Sequence, residues 1–360
     1  MSGRSGNIST SVYCFGSGEF NQTTQQNDVN TPVLIMKDSG IEKVFAGGWH
    51  SATISVDGKL TTWGKINTVK TTDQTANLFE DNKDENSSKI TTSTFNQEPT
   101  VEHSGVKNAA LTDYHTIIID LIDCAHLITY DNQIVTVPNA TNIFAKYQTI
   151  IVFQGTKIRV YTPMKDIETS FELPQNENPI SAAIINHGFA ILSDKGILRI
   201  YNQKQPDPSI ITDIVSVASS NEKYIVLKPN GRIYEIFSNG SKRQISGIGG
   251  NPIALFAGGS HFGCITFEGD CWMWGVGVRG QLGNSSFTNS FQPKKVVLKE
   301  DVRVISGAAG EEHTILLTVK DTSFIPQVPE AMKQTEYIKM LRMSAAIQGA
   351  FLASEFDSKF

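Results

Sequence analysis

One phrase occurs twice in this chain, and it dictates most of what the chain can become. Ala46-Gly-Gly-Trp-His50 leads into the run Ser51 to Val56, a turn at Asp57-Gly58, and Leu60-Thr-Thr-Trp-Gly64. The same order returns as Ala257-Gly-Gly-Ser-His261, an apolar run to Phe267, a turn at Glu268-Gly269, and Cys271-Trp-Met-Trp-Gly275. Self-similarity at this range marks a repeat architecture, in which no unit buries its own faces and each depends on its neighbours.

With the histidine as anchor at the head of a first strand, a turn residue follows eight positions later. His115 with Asp123 and His313 with Asp321 extend the pattern, and His187 reaches Gly196 after nine. Tyr147 with Gly155 and Lys223 with Gly231 are weaker copies. Anchors at 50, 115, 147, 187, 223, 261 and 313 lie 65, 32, 40, 36, 38 and 52 residues apart, which makes seven units. Each unit pairs two β-branched runs across a turn whose residues tolerate positive φ, a hairpin signal. Units of this length made only of strands hold about four each, the blade of a β-propeller. The expected fold is all-β, a seven-bladed propeller over residues 8–322. Val12 to Gly16 has no hairpin partner before it, and His313 to Val319 has no aromatic strand after it. The two ends are expected to share one blade, which closes the ring and removes the open sheet edges.

Two stretches stand outside the repeat. Residues 67–107 are polar, with seven acidic residues against four lysines, and predict a surface loop inserted in the propeller. After Pro326 and Pro329, residues 329–357 space Tyr337, Ile338, Leu341, Ala345, Ile347, Phe351 and Leu352 as the apolar stripe of an amphipathic α-helix. Both are candidate contact elements for a protein partner. The helix either packs back on the propeller or is offered to a groove.

A net charge of −5 and no basic run longer than Lys294-Lys295 speak against nucleic acid as the main partner. Four cysteines without a CxxC pair read as reduced thiols. No secretory leader and no 18-residue apolar run are present, so an intracellular, cytoplasmic or nuclear protein without a membrane span is expected.

The search for chemistry yields little. Gly275-Val-Gly277-Val-Arg-Gly280 satisfies G-x-G-x-x-G, yet Gln-Leu-Gly-Asn-Ser-Ser follows it where a dinucleotide site needs a helix. The five anchor histidines occupy equivalent positions in different blades and cannot converge on one metal ion. Each is expected to be bonded within its own blade. Glu311 and Glu312 are adjacent, so their side chains diverge. No catalytic residue, cofactor or metal is expected, and the chain reads as a non-enzyme.

Trp274-Gly-Val-Gly277-Val-Arg-Gly280-Gln-Leu-Gly283, with its Gly-Gly-Ser-His261 lead-in, resembles the regulator of chromosome condensation repeat. Phe15-Gly-Ser-Gly18-Glu-Phe-Asn-Gln22 is similar, with Asn21 in place of a glycine. The units at His115, Tyr147, His187 and Lys223 lack the Trp-Gly pair. The resemblance implies seven blades, matching the anchors, and it implies guanine-nucleotide exchange on a Ran-type small GTPase as one function. No exchange residue maps onto this chain. The residues singled out are structural: the anchors His50, His115, Tyr147, His187, Lys223, His261 and His313, with Trp63, Trp274, Gly275, Gly277 and Gly280. The expected function is a non-enzymatic protein–protein interaction scaffold, with the exchange factor and a proteinaceous enzyme inhibitor as alternatives.

Overall fold

A computed structural model describes residues 9–65, 93–95, 98–128, 134–162, 167–202, 207–299 and 301–320. These form seven antiparallel sheets, the blades of a propeller. From the axis outward, blade 1 is Ile41–Ala46, His50–Ser55, Leu60–Gly64 and Glu98–His103, extended by Ser93–Phe95. Blade 2 is Val106–Leu111, Thr116–Asp120, Ala125–Ile128 and Ile134–Val137, and blade 3 is Asn142–Lys146, Thr149–Gln154, Lys157–Thr162 and Ile167–Glu172. Blade 4 is Pro179–Ile185, Gly188–Ser193, Leu198–Asn202 and Ser209–Ile211. Blade 5 is Ser216–Ser219, Lys223–Leu227, Ile233–Phe237 and Lys242–Ile245, and blade 6 is Pro252–Ala257, His261–Thr266, Cys271–Gly275 and Ser290–Lys295. Blade 7 joins the two ends of the chain: Arg303–Ala309 and His313–Val319 come from one, Thr10–Gly16 and Val29–Met36 from the other.

Closure takes the expected form and adds a strand to it. Thr10–Gly16 pairs with His313–Val319 over seven residues, from Thr10 opposite Val319 to Gly16 opposite His313. Its other edge receives Val29–Met36. Two expectations change in detail. The anchor strand is the second of each blade, because a run of small and apolar residues before the anchor forms the strand that lines the axis. Within 67–107, Glu98–His103 is a strand, with Leu60 opposite His103 and Thr61 opposite Glu102. A third strand left without a partner would expose a row of backbone donors and acceptors, and this polar segment covers it. Residues 67–92 and 96–97 of that insertion, and the whole of the expected helix at 329–357, lie outside the described residues.

Packing explains why the second strands read as unbroken apolar runs. Seven buried apolar clusters fill the seven seams between neighbouring blades. Successive side chains point to opposite faces of a strand. In blade 3, Ile150 and Val152 therefore meet blade 2, while Ile151 and Phe153 meet blade 4. In blade 5, Tyr224 and Val226 face blade 4, and Ile225 and Leu227 face blade 6. Both faces of each blade are interior.

Three anchor histidines add polar clasps to the seams, and each reaches the next blade rather than its own. His261 Nε2 lies 3.0 Å from Thr314 Oγ1, His313 Nε2 2.9 Å from Ser51 Oγ, and His50 Nε2 3.1 Å from Thr116 Oγ1. The hydroxyls of Thr314 and Ser51 donate to the carbonyls of Gln281 and Gln22, at 2.9 and 3.0 Å, so their oxygens accept from the imidazole N–H. The glycine three residues earlier makes room for the ring. A Cβ on Gly47, Gly258 or Gly310 would be driven into His50, His261 or His313. His115 is half-buried and His187 is exposed on a turn.

Two outcomes follow from these seams. Phe153→Ala should cost about 3–5 kcal/mol in chemical denaturation, whereas Val297→Ala, at a site 75% exposed, should change stability by less than about 0.5 kcal/mol. Burial also lowers the imidazole pKa values, to about 4 for His50 and about 3 for His261 and His313. The unfolded chain binds more protons than the fold between these values and about 6.5, so stability present above pH 6.5 is lost on acidification. Each histidine should make unfolding roughly tenfold more favourable per pH unit in that window. Urea midpoints between pH 4 and 7 should fall less steeply in a His261→Gln variant than in the parent chain.

Candidate interaction face

Second strands begin and third strands end on one face of the disc. The connections that carry the anchors, and the glycine-rich exits that follow the third strands, are therefore gathered around one mouth of the central channel. Backbone hydrogen bonds stitch these connections into an arc. Asn186 N–H donates to Asn221 O (2.9 Å), Asn221 to Gly259 O (2.8 Å), and Gly259 to Gly310 O (2.9 Å). Glu311 then donates to Gly48 O (3.1 Å) and Gly48 to Thr112 O (3.1 Å). Blades 4, 5, 6, 7, 1 and 2 are linked in that order.

Blade 3 joins by a different route. Its inner strand ends at Lys146, which follows Ala145 as Gly47 follows Ala46 and Gly258 follows Ala257. The Lys146 ammonium crosses the mouth and donates to Ser219 O of blade 5 (2.6 Å) and Gly258 O of blade 6 (3.0 Å). Beneath it lies a channel of about 350 Å³, lined by the inner strands of all seven blades, with small residues such as Ala46, Ala110, Ala183 and Ala309 among larger apolar ones. At the rim is a cavity of about 90 Å³, bounded by Gly47, Gly48, Gly259 and Gly310 together with Asp113, Lys146, Tyr147 and Glu311. Burial brings the Lys146 pKa down to about 8, although Glu311 and Asp113 oppose the shift. The Asp113 carboxyl is raised, first by burial and then by Glu311. Asn221 Nδ2 donates to Glu311 Oε1 at 2.8 Å and holds that carboxylate on the rim.

Beside the mouth, loops of blades 7, 1 and 2 bring together partly exposed aromatic rings. Phe20 meets Trp49 edge to face, with centroids 5.5 Å apart. Lys65 Nζ lies 4.4 Å from the centre of the Phe20 ring and 5.4 Å from that of Tyr114. Further round, Arg279 of blade 6 reaches Asp28 (3.2 Å), Glu312 (3.5 Å) and Glu19 (3.6 Å). These pairs are solvent-accessible, so they position the loops more than they stabilise them.

The two glycine-rich exits of the sequence are one loop built twice. Gly16 and Gly275 both take φ +112°, and a side chain there would strike the backbone of His313 or His261. Gln22 Oε1 accepts from Phe20 N–H (2.8 Å) as Gln281 Oε1 accepts from Arg279 N–H (2.9 Å). Asn21, at φ 58°, fills the left-handed position that Gly280 fills at φ 86°, a conformation asparagine tolerates. Gly277 packs against the Thr288 carbonyl and Leu282. The segment returns as the strand Ser290–Lys295 of the same blade, so these glycines shape the connection between third and fourth strands.

The other singled-out residues sit in the seams or on the rim. Trp63 is buried between blades 7 and 1 and donates to Gln22 O at 3.0 Å. Trp274 is buried and stacks on Phe262, with centroids 5.7 Å apart. Lys223 lies 3.7 Å from the buried Glu235, which also accepts from Arg243 at 2.7 Å. Tyr147 occupies a tight turn at φ 53°. The anchors converge on one face and on no common point; among the described residues no three metal-ligating side chains gather. Sequence reasoning missed the Lys146 strut, the Asp113–Glu311 rim and the Phe20–Trp49–Tyr114 group. Only Lys146 carried a signal, a cation where the stronger copies have glycine.

Residues 268–317 match the regulator of chromosome condensation (RCC1) repeat. Protein pim1 of Schizosaccharomyces pombe is 23% identical over 85% of this chain and 52% of its own length. The ultraviolet-B receptor UVR8 of Arabidopsis thaliana is 34% identical over 25% of this chain and 20% of its own. The mouse E3 ubiquitin-protein ligase HERC2 is 31% identical over 30% of this chain and 3% of its own. The chain thus spans about half of pim1 and small parts of the other two. Among solved structures, human WBSCR16 superposes with a TM-score of 0.67 at 11% identity, over 87% of this chain and 99% of that one. Prp20p of Saccharomyces cerevisiae gives 0.66 at 13% identity, over 88% and 92%. The chain shares its seven-bladed propeller fold with these solved structures, and one stretch of it, residues 268–317, matches the regulator of chromosome condensation repeat.

Proposed function

We propose that this protein is a non-enzymatic interaction scaffold that meets a protein partner through the face around the channel mouth. The observation that carries this reading is the Phe20–Trp49–Tyr114 group with Lys65, and Arg279 further round the same rim. Partly exposed aromatic and arginine side chains set on a rigid frame are the composition of binding hot spots. Rigidity matters because a preformed surface loses little conformational entropy when it binds. The mouth has that property, since the hydrogen-bonded arc, the histidine clasps and the Lys146 strut all fix its loops.

Guanine-nucleotide exchange on a small GTPase is the second reading. It is favoured by pim1, similar along most of this chain, and by Prp20p, which is described with binding properties to Gsp1p and histones. An exchange factor makes and breaks no covalent bond. It stabilises the nucleotide-free GTPase, which a rigid loop-lined face could do.

Trp49→Ala should weaken capture of a partner at least tenfold while leaving the melting temperature nearly unchanged, because the ring is only half-buried. Ile210→Ala, on the outer strand of blade 4, should leave capture intact. Equal capture by the Trp49 variant and the parent chain would remove this face from the reading. Release of a fluorescent guanine nucleotide from a Ran-type GTPase separates the two functions: acceleration of a hundredfold or more assigns exchange, and an unchanged rate leaves the scaffold.

A further inference from the structure

The opposite face carries the turns between second and third strands, and two of them differ from the rest. In blades 3 to 6 these tips are polar, with Gln154-Gly155, Asp194-Lys195, Pro229-Asn230 and Glu268-Gly269. In blades 1 and 2 they present Val56, Leu121 and Ile122, which are 69%, 69% and 78% exposed. Neighbouring tips with large apolar side chains in water mark a contact surface.

The described chain ends beside this patch. Val319, last residue of a second strand, lies on the same face and pairs with Thr10. Thr10 accepts from Ser39 N–H at 2.9 Å and donates its hydroxyl to Ile41 O at 2.8 Å. Between them, Gly40 O accepts from Val56 N–H at 3.0 Å. The same turn continues to blade 2, where Val106 N–H donates to Gly58 O at 3.0 Å. Direct contacts thus lead from Val319 to the patch, one blade away at Val56 and two at Leu121.

We propose that residues 321–360 dock back on this patch, with the apolar stripe of Leu341, Ala345 and Phe351 covering Val56, Leu121 and Ile122. Length and composition fit this occupant. Residues 321–328 can span at most about 26 Å, and a helix over residues 330–356 would be about 40 Å long. That is enough chain to cross two blades of seven. The segment has five acidic and four basic residues, so apolar contact rather than charge would hold it. The docking is independent of the proposed partner face, which lies on the other side of the disc.

Hydrogen exchange on the full chain tests it. In the parent protein, amides of residues 55–59 and 120–124 should be protected. The double substitution Leu341→Glu with Phe351→Glu should speed their exchange at least tenfold, with no change in the buried strand Thr149–Gln154 as the control for folding. Reciprocally, Leu121→Asp with Ile122→Asp should speed exchange across residues 335–352. Equal rates in parent and variants would overturn the docking, as would protection that grows with protein concentration, the mark of a second copy on the patch. Protection of residues 335–352 that survives the Leu121 and Ile122 substitutions would place the segment elsewhere and equally defeat it.

Discussion

The ring stands on the hydrogen-bonded register between Thr10–Gly16 and His313–Val319. Every other blade is made from one continuous piece of chain, and this sheet alone joins residues some three hundred positions apart. Without the N-terminal strands, the blade would keep two strands and present an open edge. Val12 and Cys14 would also leave the seam to blade 1, and Tyr13 and Phe15 the seam to blade 6. The clasp from His313 to Ser51 crosses one of these same seams, so backbone pairing, apolar burial and polar contact all act at the closure.

Much of this fold was legible because the repeat marks its own units. The anchors counted seven blades, and the unmatched ends at Val12 and His313 announced the shared one. Other parts were hidden for physical reasons. The inner strands carry short runs of small residues whose role is to line a channel, and such runs have no sharp pattern. Glu98–His103 is polar because its blade ends in solvent, so composition alone made it a loop. The histidines were expected to bond inside their blades because sequence shows spacing within a unit. It does not show which hydroxyl of the next unit faces the ring.

The candidate face was less legible than the fold, for a related reason. Its residues meet through the ring rather than along the chain: Phe20, Trp49 and Tyr114 come from three blades, and Asp113 and Glu311 from two. Blades 6, 7 and 1 keep the glycine and histidine that let backbone pass close to backbone. Blade 3 has lost both, and Lys146 spans the gap with a long side chain instead of a close approach. The loss of repeat character in the middle of the chain is therefore where the mouth acquires its partly buried ammonium, and the carbonyls that hold it come together only once the ring has closed.

The shared blade also fixes an orientation. Thr10 and Val319 lie side by side on the floor of the disc, turned away from the mouth. A domain, tether or solid support attached through either neighbouring segment would hang beneath the propeller, leaving the channel's upper rim free for anything that approaches along the axis.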